Sequence, residues 1–303
     1  MKGAPDRRIQ ASGRHRHGAV EVVIGPGLGN AMFQYALGRA LAVRYGRPLV
    51  LDTSLLFLSP DWTFDLPHFR LGEQRVRTLP HWLWRTRWRA LGRLARIGLA
   101  PIRVVDEQSL LFDASVLQVR PPCILSGFWQ SERYFESVEA QLREEFTIVR
   151  DQDPRSAACH ARIRRVPSIG LHVRRGDYVV PGGEEDFHGT CPPEYYEAAL
   201  KRIRPRLGPD AEVFVFSDDM AWARRHLRFD LPTEFVDWNG DRNYEDLRLM
   251  SACQALIAAN STFSWWAGWL NPRTDKTVVV PRQWYRVPGA TSDLPASRWA
   301  IAI

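Results

Sequence analysis

The pattern of apolar and polar positions alternates short β-branched runs with helical periods. Residues 20–24 form an apolar run that ends in a glycine turn, Gly25-Pro26-Gly27-Leu28-Gly29. A period of about 3.6 residues then continues over 30–45, and residues 48–52 supply a second strand. Residues 101–105 and 123–126 are further strand candidates. In the second half the pattern predicts strands at 168–173, 212–216, 234–236, 255–258 and 277–280. Helical segments at 193–204, 220–227, 244–253 and 262–270 fall between them. Such alternation predicts an α/β protein with parallel sheets covered by helices on both faces. Ligands on these sheets bind beyond the carboxyl ends of the strands, here just after Val173, Phe216 and Ala258.

The stretch 150–167 is rich in arginine and contains Pro154 and Pro167, which marks it as the boundary between two domains. The expected organisation is a flexible basic tail at 1–18, an α/β domain at 19–150, a linker at 151–167 and a second α/β domain at 168–303. A length of 303 residues accommodates two domains. No apolar run is long enough to span a bilayer, because the best candidate, 252–270, is broken by Gln254, Asn260 and Ser264. The polar, basic first residues carry no signal-peptide pattern. Cys123, Cys159, Cys191 and Cys253 lie far apart, which excludes a zinc ribbon or a redox dithiol and points to free thiols in a reducing compartment. The expected location is cytoplasmic.

Charge changes this picture in one place. The net charge is +7, and all of it belongs to residues 1–150, since the basic and acidic groups of 151–303 cancel. Between Glu73 and Asp106 there are eight arginines and no acid. Within that stretch Trp84, Trp88, Leu91 and Ala95 share one helical face, and Arg85, Arg89, Arg93 and Arg96 another. Residues 81–98 thus read either as a helix with a solvated arginine face or as an interfacial amphipathic helix in peripheral contact with a membrane. The neutral second half argues against a nucleic-acid footprint across both domains, so no nucleic-acid partner is expected.

Four segments carry candidate chemistry. The glycine turn fails the dinucleotide pattern GxGxxG in both registers, but it places Asn30 at a helix start, where backbone N–H groups face outward. In Gly170-Leu-His-Val-Arg-Arg-Gly-Asp-Tyr178, strand alternation puts His172 and Arg174 on one face and Arg175 on the other. A guanidinium at that position can grip a phosphate in bidentate fashion; the competing reading is an ion pair with Asp177. Phe214-Val-Phe-Ser-Asp-Asp219 ends a strand in Ser217, Asp218 and Asp219, suited to capping the next helix or accepting hydrogen bonds from a nucleobase. Asn260, Ser261, Thr262, Phe263 and Ser264 open a helix whose hydroxyls and free N–H groups make an anion site. Trp265, Trp266 and Trp269 have the spacing of a core-facing helix. Together these describe a site for a nucleoside diphosphate, with no metal-ligand set evident.

These segments resemble the bacterial α-1,2-fucosyltransferases of glycosyltransferase family 11. The likeness rests on Gly27-Leu-Gly-Asn-Ala-Met-Phe-Gln-Tyr-Ala36, Gly127-Phe-Trp-Gln-Ser-Glu132, His172-Val-Arg-Arg-Gly-Asp-Tyr178, Phe216-Ser-Asp-Asp219 and Asn260-Ser-Thr-Phe-Ser-Trp-Trp-Ala267. The family usually has Gln where this chain has Ala31. The resemblance implies two Rossmann-like domains of the glycosyltransferase-B type and an inverting, metal-independent transfer of fucose from GDP-β-L-fucose to the 2-hydroxyl of a β-galactoside. It implies donor binding by Arg174, Arg175, Ser217, Asp218, Asp219, Asn260, Ser261, Thr262, Phe263 and Ser264. In that reading Arg174 meets the diphosphate, Asp218 or Asp219 reads the guanine, and Asn30 lies near the transferred sugar. His172 and Asp177 are the candidates for general base. No cofactor is expected beyond the donor, and no acceptor-binding residue is assigned.

Overall fold

The structure is a computed structural model that describes residues 18–176, 179 and 185–303. The basic tail up to residue 17 and Asp177 lie outside the described residues. The first unit comprises β1 (Val20–Val23), α1 (Leu28–Tyr45), β2 (Leu49–Asp52), β3 (Arg75–Arg77), α2 (His81–Arg96), β4 (Arg103–Asp106) and β5 (Cys123–Ser126). Its strands form one parallel sheet in the order β3-β2-β1-β5-β4. Two helices, α3 (Glu139–Glu145) and α4 (Pro154–Ile163), lead to the second unit. That unit contains β6 (Ser168–Val173), the short α5 (Glu185–His188), α6 (Pro193–Leu207), β7 (Glu212–Ser217), α7 (Met220–His226) and β8 (Thr233–Phe235). It continues through α8 (Asn243–Ala252), β9 (Ala255–Ile257), α9 (Thr262–Leu270), β10 (Thr277–Val280) and β11 (Ala300–Ala302). Its sheet is parallel throughout, in the order β8-β7-β6-β9-β10-β11. Numbered within the unit this is 3-2-1-4-5-6, the strand order of dinucleotide-binding folds.

Strand alternation sets the layers of the first unit. Val20, Val22 and Ile24 pack on the α1 side, while Val23 packs with Leu91 of α2 and with Ile124. Glu21 shares the α2 side and is buried, held by Arg77 at 2.5 Å and by Arg87 at 2.5 and 2.8 Å. Arg87 also reaches Asp52 at 3.3 Å. Helix α1 is buried over most of its surface because it is sandwiched. One side lies on its own sheet, where a Cβ on Gly38 would come within 2.5 Å of Val22 Cγ2. The other side packs on α9 of the second unit. Phe33 sits 4.8 Å from both Trp265 and Trp266, and Phe135 stacks on Trp266 at 5.4 Å. The core therefore runs without a break from one unit into the other.

Three elements depart from the sequence pattern. The stretch expected to be a linker carries α4, which packs on α8. Pro154, a cue for the boundary, instead occupies the first turn of this helix, and the Asp153 carboxylate caps it by accepting from Arg155 N and Ser156 N. Strands β3 and β11 are short edge strands without a buried apolar face.

Candidate active site

The site lies where the strand order reverses in each sheet. In the second unit the reversal is between β6 and β9, whose ends lead into Arg174 and into the start of α9. In the first it is between β1 and β5, whose ends lead into the glycine turn and into the 127–129 loop. The two helix starts meet there. A Cβ on Gly29 would fall 2.6 Å from both Phe263 N and Thr262 Oγ1, so only glycine lets α1 and α9 come this close. Trp266 Nε1 donates to Gly29 O at 3.0 Å, and Thr262 Oγ1 donates to Asn30 Oδ1 at 3.1 Å. Neither helix has a side-chain N-cap. Each start carries roughly half a positive charge from its aligned peptide dipoles. Two of them side by side favour an anion at the junction.

Strand β6 delivers the charged groups with the alternation its sequence predicts. Arg174 Nη1 pairs with Asp218 Oδ2 at 3.0 Å, and Asp218 Oδ1 accepts from Arg175 N at 2.8 Å. The carboxylate thus folds the turn after β6 and holds Arg174 at the cleft. Arg175 points the other way. Its guanidinium lies 4.3 Å over the Trp222 ring and its Nε is 3.3 Å from Asp219 Oδ2. Asp219 also caps α7 by accepting from Trp222 N at 2.9 Å, while Ser217 Oγ accepts from Asp219 N at 2.9 Å. Both oxygens of Asp218 and of Asp219 are engaged within the protein, although each carboxylate oxygen can accept a second hydrogen bond.

His172 is buried, with its ring 5.6 Å from Phe263. Burial pushes its imidazole down to about 4, with the nearby Asp218 charge opposing that shift and Arg174 adding to it. The ring is neutral at physiological pH, and its Nδ1 has no hydrogen-bond partner among the described residues.

Two more of the expected donor residues spend their side chains within the protein. The Asn260 amide is scaffold: Nδ2 donates to the carbonyls of His188, Gly189 and Trp284 at 3.0–3.2 Å, and Oδ1 faces the Cys191 thiol. Ser264 is fully buried and its hydroxyl turns back onto Ala259 O and Ser261 O. Ser261 and Thr262 remain at the helix junction with Asn30.

Sequence reasoning missed the residues that build the floor of the site. Gln130 Nε2 donates to Asn30 Oδ1 at 3.0 Å, and Gln130 Oε1 accepts from Tyr285 OH at 3.1 Å. Gln34 accepts from Gly25 N at 2.9 Å and donates to Gly127 O at 2.8 Å, tying the two loops of the first unit together. Glu107 accepts from Phe128 N at 2.7 Å and Trp129 N at 2.9 Å, and its burial raises its pKa above the usual carboxylate range. It holds a strained turn, since Trp129 has φ 58°, a left-handed conformation that costs a bulky residue on the order of 1–3 kcal/mol. The Gly127–Glu132 motif was the available signal for Gln130. For Gln34, Glu107 and Tyr285 the partners lie far away in sequence.

Two parallel α/β units with their reversal points brought together, and a phosphate-suited junction between them, define a glycosyltransferase of the two-domain B type. The family model "Glycosyl transferase family 11" matches residues 108–298, and the chain belongs to that family. It is 33% identical over 282 residues to the O-antigen biosynthesis glycosyltransferase WbnK of Escherichia coli, covering 86% of this chain and 92% of that protein. It is 30% identical over 270 residues to the alpha-1,2-colitosyltransferase of Escherichia coli, covering 86% and 90%. FUT1 of Arabidopsis thaliana, solved in complex with GDP, shares the fold with a TM-score of 0.51 at 13% identity, covering 86% of this chain and 70% of that one.

Proposed function

We propose that the protein transfers L-fucose from GDP-β-L-fucose to the 2-hydroxyl of a β-galactoside, with inversion at the anomeric carbon and without a metal ion. The observation that carries this reading is the placing of Arg174 and the uncapped start of α9 after neighbouring strands of one sheet, with the uncapped start of α1 packed against α9. The acceptor oxygen attacks the anomeric carbon, the bond from that carbon to the β-phosphate oxygen breaks, and negative charge passes to the diphosphate. Arg174 and the helix starts meet that charge. Asp218 aims Arg174, and the Ser217–Asp219 edge faces the nucleoside side of the cleft. The acceptor proton goes to a base. His172 enters the reaction neutral and Asp177 is the second candidate, so the pH–rate profiles of His172→Ala and Asp177→Asn distinguish a lost base from lost positioning. The free cysteines, all buried, fit a reducing compartment such as the cytoplasm.

A second donor is favoured by one comparison, the likeness to an alpha-1,2-colitosyltransferase. The test is transfer from GDP-fucose, GDP-colitose, GDP-mannose and UDP-galactose to a panel of β-galactosides, with product linkage read by NMR. An α-1,2-fucosylated product is expected; transfer only from another donor, or to another hydroxyl, overturns the proposal.

A further inference from the structure

Helix α2 is fixed to the first unit by one face, and among the described residues nothing covers the opposite face. Trp84, Trp88 and Leu91 turn inward, and Arg87 anchors the helix to buried Glu21 and Asp52. The outward face begins with Trp82, 69% exposed, continues through exposed Arg85, Arg89 and Arg93, and ends next to Ile97 and Leu99, 66% and 68% exposed. This surface runs about 22 Å at 1.5 Å per residue. None of the three arginines is ion-paired among the described residues. The turn 54–58 packs against α2 and adds Phe57, also 69% exposed. Of the fourteen exposed large apolar side chains among the described residues, eight fall between positions 57 and 99. Scattered apolar side chains are ordinary on a surface, but this concentration among arginines is not.

We propose that this face is a docking surface for an anionic lipid bilayer, with α2 lying in the plane of the headgroups. A Trp at one end, aliphatic side chains at the other and arginines between them match an interfacial helix, in which apolar groups enter the acyl boundary and cations meet lipid phosphates. A second copy of the chain does not fit, because a two-fold contact would set the same arginine face against itself. A nucleic acid would use the arginines but leave the aliphatic end uncovered. The proposal does not depend on which sugar is transferred.

The test is co-sedimentation of the full chain with vesicles of phosphatidylcholine containing 30 mol% phosphatidylglycerol, against phosphatidylcholine alone, at low and high salt. Binding is expected only to the anionic vesicles and is expected to weaken with salt. An arginine near such a surface contributes roughly five-fold to partitioning, so Arg85→Gln, Arg89→Gln and Arg93→Gln together should weaken binding about 10²-fold. The matching triple change to lysine should retain binding, and Trp82→Gln with Leu83→Gln should weaken it at unchanged charge. Circular dichroism and melting temperature check that each variant is folded. No sedimentation at low salt, equal binding to neutral vesicles, equal binding by the glutamine variant, or tighter binding to duplex RNA than to the vesicles would each overturn the proposal.

Discussion

On the proposed function, Arg174 is the residue on which the chemistry turns. It follows the end of a fully buried strand, and the Asp218 carboxylate that pairs with it also accepts from the Arg175 backbone. Removing one preorganised donor of this kind commonly costs ~10²–10³ in kcat. That loss is expected for Arg174→Ala, and near-native turnover at saturating GDP-fucose would remove Arg174 from the mechanism. Two buried groups give the protein a pH signature of opposite sign. His172 is pulled down to about 4 by burial, so the unfolded chain, which takes its proton near pH 6.5, is favoured by acid. Its stabilising contribution is complete above about pH 6.5 and is lost as pH falls towards 4. Asp246 is pushed up to about 6 by burial, so the folded state holds its proton more tightly and gains stability as pH falls through 6 towards 4. Each effect amounts to at most about 3 kcal/mol. The two slopes oppose each other in the native chain, so His172→Phe should gain melting temperature relative to the native chain as pH falls from 6.5 towards 4.5. Asp246→Asn should melt higher than the native chain at pH 7.5, with the advantage shrinking below pH 6. Parallel pH profiles for all three proteins would show that neither group senses its burial in this way.

Among elements, the junction of α1 with α9 is the most demanding. A methyl group at Gly29 has no flexible side chain to displace, because what it meets is the Phe263 backbone N and the first atoms of Thr262. Gly29→Ala is expected to push the helix starts apart, break the Thr262–Asn30 hydrogen bond and reduce turnover by at least ~10²-fold, the scale of a ~1 Å misplacement. Steady-state kinetics on a variant that still melts cooperatively will test this; normal kcat would mean that the close approach serves packing alone. The glycine turn was legible as a strand-to-helix transition, but its reason was not, because the crowding atoms belong to a segment more than 230 residues away. Strands β5, β6 and β10 and helix α9 were legible to the residue because each is a buried apolar run bounded by turn residues. Edge strand β3, Arg-Val-Arg, has no such signature, and α4 was hidden by a proline that starts a helix as readily as it ends one. In the site, alternation along β6 separated Arg174 from Arg175 correctly. The hydrogen bonds of Asn260 and Ser264 to backbone carbonyls were not legible, because a sequence does not show which polar side chains are spent within the fold.

At the scale of the molecule, the two units are joined by more than a chain crossing. Phe33 and Phe135 from the first half interlock with Trp265, Trp266 and Trp269 from the second. Hydrogen bonds also cross between the units at the junction, through Trp266–Gly29, Thr262–Asn30 and Tyr285–Gln130. A continuous aromatic core of this kind couples the stabilities of the two sheets, since opening the interface would expose several of the largest buried side chains at once. With the proposed donor site, the nucleotide should then stabilise the molecule as a whole, although its phosphates would touch only the junction. At a free concentration of 100 times Kd, GDP is expected to add about 2.7 kcal/mol to unfolding. Calorimetry of the native chain should show one transition that GDP moves upward intact. Phe33→Ala removes a side chain whose loss typically costs about 3–5 kcal/mol. It should lower that transition and separate the two units, leaving GDP to raise only the later part. Two transitions in the native chain, with GDP moving just one, would mean that the units melt independently and that the shared core does not carry the signal from the nucleotide to the first sheet.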